Sequence, residues 1–332
     1  MSTDDDAIVA DLVGVLENLL FRRHDYIAGM RVPMNSHSSQ DDLQTKVEQF
    51  WDAKPCDSDT STKKVYSAEY FNDIENQRYR QQSHVMDLLT SLSFAGKRVL
   101  EIGSGVGTDA RTIINSGGIY TGINVDAGSC EMTRRSLEIF NLPGMVQQVS
   151  ALNLPYPDDT FDIVYSFGVL HHIPDVDTAV GEIRRVLKPG GRLVIMLYNR
   201  RSINYMVEIR HLRKWGVEIL GLPRMLGILE KFGLPRAKLQ RHRELRESIG
   251  RMSEDEWLSR NTDGPDNPYT RVYDARQAVE LLSGFSEISQ CVRFFDYTHW
   301  GLLGRCLPPR MRRVLGNKWG WHRVVEARKS SA

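Results

Sequence analysis

Two spacings of apolar residues alternate along residues 97–198. Short apolar runs such as KRVLEIG and FDIVYSF have the composition of buried strands. The segments between them, such as VDTAVGEIRRVL, place apolar residues three or four positions apart, as the buried face of a helix does. Because strand, helix and strand follow one another, the pattern predicts right-handed crossovers and a parallel sheet covered on both faces. The predicted fold class is therefore α/β.

Helical spacing also occurs before this alternating region. Apolar residues recur at helical intervals over Ile8–Leu20. A second helix is expected to be capped by Asp41 or Asp42 and to run through Trp51. Residues 67–92 carry a longer helical pattern that is expected to break once near its middle.

The alternation stops after residue 198 and resumes near the C-terminus. Pro223 and Pro235 divide the intervening stretch into pieces, which indicates a helical insert. DARQAVELL then predicts a helix, and EISQCVRFF and HRVVEA predict strands. We expect four parts: an N-terminal helical extension (1–66), a cofactor-binding core (67–198), a helical insert or lid (199–263) and the rest of the core sheet (264–332).

Composition excludes several classes of protein. The chain has 43 Lys and Arg against 42 Asp and Glu, so no overall field favours nucleic acid, and no nucleic-acid-binding module is recognisable. The four cysteines are far apart and lack C-x-x-C spacing, which fits a reducing cytosol. The N-terminus is acidic where a signal peptide is basic, and no apolar run approaches the roughly 18 residues of a membrane span. We expect a cytoplasmic protein with no nucleic-acid partner and no stable membrane insertion.

VLEIGSGVGTDA places Gly103, Gly105 and Gly107 directly after an apolar strand. A turn there lies at the carboxyl edge of the sheet, where open α/β folds bind ligands, and backbone without Cβ atoms lets a ligand lie against the main chain. The dinucleotide motif G-x-G-x-x-G needs a third glycine where this chain has Thr108, and the P-loop sequence G-K-[ST] is absent. A nicotinamide-dependent oxidoreductase is therefore a weaker alternative.

Three blocks carry a resemblance to a known family. VLEIGSGVG, LPYPDDTFDIVYSFGVLHHIPD and EIRRVLKPGGRLVI together resemble the class I S-adenosylmethionine-dependent methyltransferases, particularly their ubiquinone and menaquinone branch (methyltransferase-11-like). The resemblance implies a Rossmann-like, doubly wound, mostly parallel seven-stranded sheet with an antiparallel last strand. It also implies methyl transfer from S-adenosylmethionine to a small-molecule acceptor.

The same resemblance implies which residues hold the cofactor. The family usually places an acid at the end of its second strand and an aspartate on the adenine side, where this chain has Asn124 and Ser150. Asp126 lies two residues beyond Asn124 and points to the same side of an extended chain, so it is a second candidate. The expected cofactor-binding residues are Tyr70, Arg78, Glu101, Gly103, Ser104, Gly105, Gly107, Asn124, Val125, Asp126, Ser150, Ala151, Leu152 and Phe167.

The helix before the sheet contributes two of these residues, Tyr70 and Arg78. Glu75 and Arg78 share a helix face, so the two side chains could pair locally. Alternatively, Arg78 could bind the carboxylate of the methionine part of the cofactor with two hydrogen bonds.

His171 and His172 are the candidate catalytic residues. The family places their loop beside the transferable methyl group, and an imidazole titrates near neutral pH, so either could act as a general base. Proximity and in-line alignment alone can also drive methyl transfer. The expected substrate-binding residues lie at the end of the fifth strand and before the late helix: Tyr198, Asn199, Tyr269, Arg271 and Tyr273.

The insert interleaves Arg and Lys with apolar residues. This pattern leaves three interpretations open: a cover over an anionic or isoprenoid acceptor, peripheral contact with a lipid surface, and a solvated or homodimer face. No histidine spacing indicates a metal for the methyl transfer, although a diphosphate acceptor would bring magnesium. The neutral Asn124 and Ser150 also fit a methyltransferase-like scaffold that binds a partner without turnover.

Overall fold

A computed structural model describes residues 40–53, 55–220, 222, 224–231, 236, 240, 243, 252–264, 266–300, 304 and 306–330. The helices are α1 (Gln40–Ala53), α2 (Ala68–Gln81), α3 (Ser83–Ser91), α4 (Thr108–Asn115), α5 (Ala127–Ile139), α6 (Val176–Val186), α7 (Arg213–Leu220), α8 (Met225–Lys231), α9 (Glu254–Arg260), α10 (Ala275–Leu281) and α11 (Pro309–Trp319), with 3-10 turns at Leu170–His172 and Tyr297–Trp300 and a π-helix at Asn204–Leu212. The strands are β1 (Arg98–Ile102), β2 (Ile119–Asn124), β3 (Met145–Gln148), β4 (Phe161–Phe167), β5 (Leu187–Tyr198), β6 (Phe285–Arg293) and β7 (His322–Lys329).

The seven strands form one sheet in the order β3-β2-β1-β4-β5-β7-β6. The pairs β1–β2, β2–β3, β1–β4 and β4–β5 are parallel, and β7 runs antiparallel to β5. The α/β class and the mostly parallel sheet with an antiparallel last strand are therefore confirmed. The strand order reverses between β1 and β4, which opens a crevice at their carboxyl ends.

Both faces of the sheet are covered, and β1 shows how. Val99 packs in a buried cluster with Val194, while its neighbour Leu100 packs in a second cluster with Ile195. Successive side chains of a strand point to opposite faces, so these two clusters are the two cores that the helices cover. Such double burial explains why the strands read as continuous apolar runs.

Residue contacts divide the chain into two units, which we name here. Among the described residues, the sheet unit contains those of 40–198, 271–291 and 322–330, and the helical unit contains those of 199–270 and 292–321. The helical unit has its own buried ion pair, in which the Arg213 guanidinium Nη2 lies 2.7 Å from Glu208 Oε1. Arg213 also donates to the backbone oxygen of Asn261. The boundaries of the four expected parts stay predictions.

The helical segments before β1 largely follow their sequence patterns. The predicted break within residues 67–92 is confirmed at Gln82, between α2 and α3. Asp41 and Asp42 are not caps, because α1 begins at Gln40 and places both in its first turn, where carboxylates favour the positive end of the helix dipole. The predicted helix over Ile8–Leu20 lies outside the described residues.

Candidate active site

A cleft of about 1040 Å³, partly open to solvent, lies at the carboxyl ends of β1, β2 and β4. It occupies the crevice that the reversal of strand order creates. The expected site residues that line it are Arg78, Glu101, Gly103, Ser104, Gly105, Asn124, Val125, Asp126, Ser150, Ala151, Leu152, Phe167 and His172.

Several expected residues do not line this cleft. Tyr70 is buried beside Phe71 and donates a hydrogen bond to the backbone oxygen of Ser58 at 2.5 Å. Gly107 caps α4 with a left-handed backbone, and a Cβ there would lie 3.2 Å from the Thr133 side chain, so it serves helix packing. Four expected residues lie in the sheet unit but do not line the cleft: His171, Tyr198, Arg271 and Tyr273. The other two, Asn199 and Tyr269, belong to the helical unit.

The glycine loop after β1 has a conformation that other residues rarely adopt. Gly103 and Gly105 have φ angles of +79° and +54°. A Cβ on Gly103 would lie 2.2 Å from a methyl of Val169, so a side chain has no room there. A Cβ on Gly105 would meet nothing nearer than Cys56, at 3.8 Å, and both residues line the cleft. Gly105 therefore presents bare main chain to open space in the cleft.

Asn124, at the end of β2, holds this loop in place. Its side-chain oxygen accepts a hydrogen bond from the Gly105 backbone at 3.2 Å, and its amide nitrogen donates to Ser104 Oγ at 2.8 Å. Thr133 Oγ1 lies 2.9 Å from Ser104 Oγ and donates to the Gly105 carbonyl at 2.9 Å. Four side-chain hydrogen bonds thus fix the loop, and a neutral amide supplies two of them.

Acidic side chains outnumber basic ones in the cleft. Asp57, Glu101, Asp109 and Asp126 line it, and Arg78 is the one Lys or Arg among the described lining residues. Asp126 caps α5 by accepting from the Ser129 backbone at 2.6 Å, and burial raises its pKa. Such a set of groups favours a cationic ligand over a phosphate.

Asp109 lies at the centre of a buried network. Arg78 donates to it twice, at 2.8 and 3.2 Å, and the hydroxyls of Tyr79 and Tyr165 donate at 3.1 and 2.9 Å. Arg78 also donates to Asp57 at 3.3 Å. Burial opposes the charge of Arg78, but the two carboxylates outweigh it and raise the Arg78 pKa. The network ties α2 and the chain before it to α4, below the glycine loop.

The local pair between Glu75 and Arg78, one of the two alternatives left open by the sequence, does not form. Glu75 pairs with Arg111, and Arg78 pairs with Asp109 and Asp57. Asp109 and Arg111 are both buried on α4, where each charge needs a partner of opposite sign. The two α2 side chains therefore pair with α4 rather than with each other.

The two histidines occupy different environments. His172 lines the cleft, and its ring lies 5.2 Å from the ring of Trp51 in an edge contact. His171 is fully buried, with its ring 3.7 Å from that of Tyr198, and burial followed by the neighbouring His172 holds its pKa well below the usual range. The Arg271 backbone donates to the His171 carbonyl at 2.9 Å, which brings the segment before α10 behind this loop.

Sequence reasoning did not identify one wall of the cleft. Gln44, Val47 and Trp51 of α1 line it, as do Cys56 and Asp57 in the chain that follows. The spacing of the three α1 residues, three and four positions apart, is the signal that places them on one helix face. Nothing in the sequence showed that this face would line the same cleft as the glycine loop.

Glu101 should make the stability of the protein depend on pH. Burial, and then the charge of Asp109, raise its pKa to about 8. Between the pKa of an ordinary glutamate and about 8, the folded protein keeps a proton that the unfolded chain has released, so stability falls as pH rises through this range. Glu101→Gln keeps an acceptor for the Tyr120 hydroxyl, which lies at 2.5 Å, but cannot ionise. Urea unfolding should show a shallower loss of stability in the variant between about pH 5 and 8, and parallel curves would contradict this assignment.

The part of the chain that the structure describes contains neither a group of metal ligands nor a membrane-spanning helix. Within that part of the chain, no three His, Cys, Asp or Glu side chains are grouped as metal ligands. None of the described helices has both the length and the apolar composition needed to cross a membrane.

Comparison with known proteins shows what the region around the glycine loop is similar to. Residues 100–195 match a family described as a methyltransferase domain. Methyltransferase GfsG of Streptomyces halstedii is 38% identical over 104 residues, which cover 30% of this chain and 37% of that protein. Demethylmenaquinone methyltransferase of Tropheryma whipplei is 32% identical over 101 residues, 30% of this chain and 41% of that protein. The match thus spans about two fifths of the length of these relatives.

Among solved structures, magnesium protoporphyrin IX methyltransferase from Synechocystis PCC 6803 aligns with 87% of this chain and 100% of that one, at 13% identity and a TM-score of 0.49. The family match extends from β1 into β5 and includes the glycine loop. Together with the similar relatives, it confirms the resemblance on which the sequence interpretation depends. Over residues 100–195, this chain is therefore similar to the methyltransferase domain family.

Proposed function

We propose that this protein transfers the methyl group of S-adenosylmethionine to a small-molecule acceptor in the cleft beside the glycine loop. The observation that carries the proposal is bare main chain at Gly105 facing a cleft lined by three aspartates and by Glu101, which keeps its proton at neutral pH. S-adenosylmethionine carries a sulfonium and an ammonium but no phosphate, so it suits this arrangement. A dinucleotide would bring its pyrophosphate towards these carboxylates, which disfavours the oxidoreductase alternative.

The residues present fit this cofactor. Glu101, Asp126 and the loop at Gly105 would hold its amino acid and ribose parts, and the strand-end residues Ser150 and Leu152 its adenine. When bound, the cofactor supplies an electrophilic methyl group on positively charged sulfur. Asn124 contributes by fixing the loop, since its amide already bonds Gly105 and Ser104. This supports cofactor binding despite the missing acid at the end of β2.

The acceptor is expected to be neutral and largely apolar. Val47, Trp51, Val169 and Ile173 provide apolar wall area in the cleft. The carboxylates argue against the anionic acceptors that the basic insert suggested, and therefore against a need for magnesium. Among relatives, 27-O-demethylrifamycin SV methyltransferase of Amycolatopsis mediterranei, 35% identical over 104 residues, is also named for a small organic acceptor.

His172 is the better candidate for a general base. It lines the cleft beside Trp51, whereas His171 lies outside the lining and burial disfavours its protonated form. A neutral imidazole at His172 would hold the proton that an acceptor hydroxyl releases. Trp51 would exclude water from that side of the reacting groups.

Location and assembly are further parts of the proposal. All four cysteines are free thiols, which supports a reducing, cytoplasmic compartment. The homodimer stays a prediction.

Calorimetry followed by mass spectrometry tests this function. S-adenosylmethionine and S-adenosylhomocysteine should bind and NAD should not. A panel of phenolic, isoprenoid and phosphorylated compounds should then yield a product that gains one methylene in mass. His172→Asn should leave cofactor affinity unchanged and slow the transfer by about 10²-fold or more. Binding of neither methionine compound would favour the scaffold alternative, and binding of NAD would favour the oxidoreductase.

A further inference from the structure

The helical unit exposes an unusual share of the large apolar side chains. Of the twelve such side chains that are most exposed among the described residues, seven belong to this unit. They include both exposed tryptophans. The seven are Met206, Val207, Trp215, Leu222, Met311, Val314 and Trp319. Exposed apolar residues that recur in one region mark interaction surfaces more often than scattered ones do.

Helix α11, PRMRRVLGNKW, carries three of the seven and is held to its unit by one side. Arg312 is turned inward, where it donates to the Leu307 carbonyl at 2.8 Å and lies 3.8 Å from the centre of the Tyr297 ring. Gly316 is buried, and a Cβ there would lie 3.3 Å from the Phe295 backbone. These contacts define the inner face of the helix.

The outer face of α11 mixes cations with apolar side chains. Five exposed residues recur at spacings of three and four positions, which places them on one side of the helix. They are Arg310, Met311, Arg313, Val314 and Lys318. Val314 is 60% exposed and Met311 is 48% exposed. We call these five residues the α11 outer face.

The charge around this face has one sign. No Asp or Glu occurs between Asp296 and Glu326, and α11 itself has four basic residues among its eleven. Chain neighbours therefore provide no acid to neutralise the outer face, although the whole protein carries a net charge of only +1. A strongly basic segment in a nearly neutral protein favours the binding of an anionic partner at that segment.

We propose that the α11 outer face binds the surface of an anionic lipid bilayer. Arg310, Arg313 and Lys318 would contact lipid phosphates, while Met311 and Val314 enter the boundary between headgroups and acyl chains. Trp319, 41% exposed at the end of the helix, has the amphipathic ring that is typical of this boundary. The apolar members of the face favour lipid over nucleic acid, whose phosphate backbone gives Met311 and Val314 nothing apolar to contact. The proposal uses no residue of the cleft, so it is independent of the proposed function.

Sedimentation of the full chain with vesicles tests this proposal. The protein should bind vesicles of phosphatidylcholine with phosphatidylglycerol and not vesicles of phosphatidylcholine alone. Removing three charges in Arg310→Gln/Arg313→Gln/Lys318→Gln should weaken binding by about a hundredfold. The matched control Arg134→Gln/Arg135→Gln/Arg276→Gln removes three exposed charges from the sheet unit and should bind as the wild type does.

Insertion has its own measurement. The fluorescence of Trp319, obtained by subtracting the spectrum of a Trp319→Phe variant, should shift to shorter wavelength on anionic vesicles. Met311→Gln/Val314→Gln changes only exposed positions and should reduce this shift and weaken binding. Equal binding by the charge variant and its control, equal binding to both vesicle types, or tighter binding to duplex DNA than to anionic vesicles would each overturn the proposal.

Discussion

Gly105→Ala is expected to lower the affinity for S-adenosylmethionine by about 10- to 200-fold, the range that one added carbon causes in a close-fitting pocket. The new methyl would meet no protein atom nearer than 3.8 Å, so the folded protein has room for it. That room is the cleft itself, and the methyl would occupy space where we propose that the ligand lies against the main chain. Calorimetric titration of the variant measures the effect.

Gly96→Ala is the matched control for this experiment. Gly96 also has a left-handed backbone, with φ of +69°, and a Cβ there would meet no atom within 4 Å. It precedes β1 and is not among the residues that line the cleft. Both variants should lose about 1–2 kcal/mol of stability from the strained backbone, whereas only Gly105→Ala should lose affinity. Equal affinities in the two variants would remove the main support for the proposed cofactor site.

Asp109→Asn is expected to destabilise the protein by about 3–5 kcal/mol, the cost of breaking a buried ion pair. Asp109 is 4% exposed and accepts hydrogen bonds from Arg78, Tyr79 and Tyr165. With a neutral amide at position 109, Asp57 would be the one remaining carboxylate beside the buried Arg78 charge. One of the two acceptor oxygens at position 109 would also become a donor. Urea unfolding at neutral pH measures the loss.

Asp158→Asn provides the comparison for Asp109→Asn. Asp158 also pairs with an arginine, Arg185, at 3.0 Å, but its side chain is 73% exposed. Exposed ion pairs contribute about 1 kcal/mol or less, so this variant should be nearly as stable as the wild type. Similar losses in the two variants would show that the Asp109 network is not the source of the effect.

The sequence allowed the sheet and its ligand edge to be predicted because both depend on local patterns. Apolar runs of strand length, helical spacing between them and three alternating glycines each lie within about a dozen residues. The positions of Gly105, Asn124 and Ser150 on the cleft follow from the rule that parallel strands share a carboxyl edge. Similarity to the methyltransferases added the identity of the ligand.

The parts that could not be predicted depend on contacts between distant residues. Trp51 was expected to end a helix, but its place on the cleft could not be read from that. The next residue, Asp52, accepts a hydrogen bond from the Gly128 backbone, 76 positions away. Asp109 reads as an ordinary helix residue, yet its partners Arg78 and Tyr165 lie 31 and 56 positions from it. Periodicity carries no such information. For the same reason, the sequence could not show that Glu75 and Arg78 pair with α4 rather than with each other.

The hydrogen bonds that Asn124 and Thr133 make to Ser104 and Gly105 of the glycine loop have a kinetic consequence. A loop that is rigid before its ligand arrives loses little conformational entropy on binding and needs no slow rearrangement to admit it. Substitutions around the cleft should therefore leave the association rate nearly constant and alter mainly how long the bound molecule stays. In this protein, the residence time of the ligand rather than its association rate would then distinguish variants that bind tightly from variants that bind weakly.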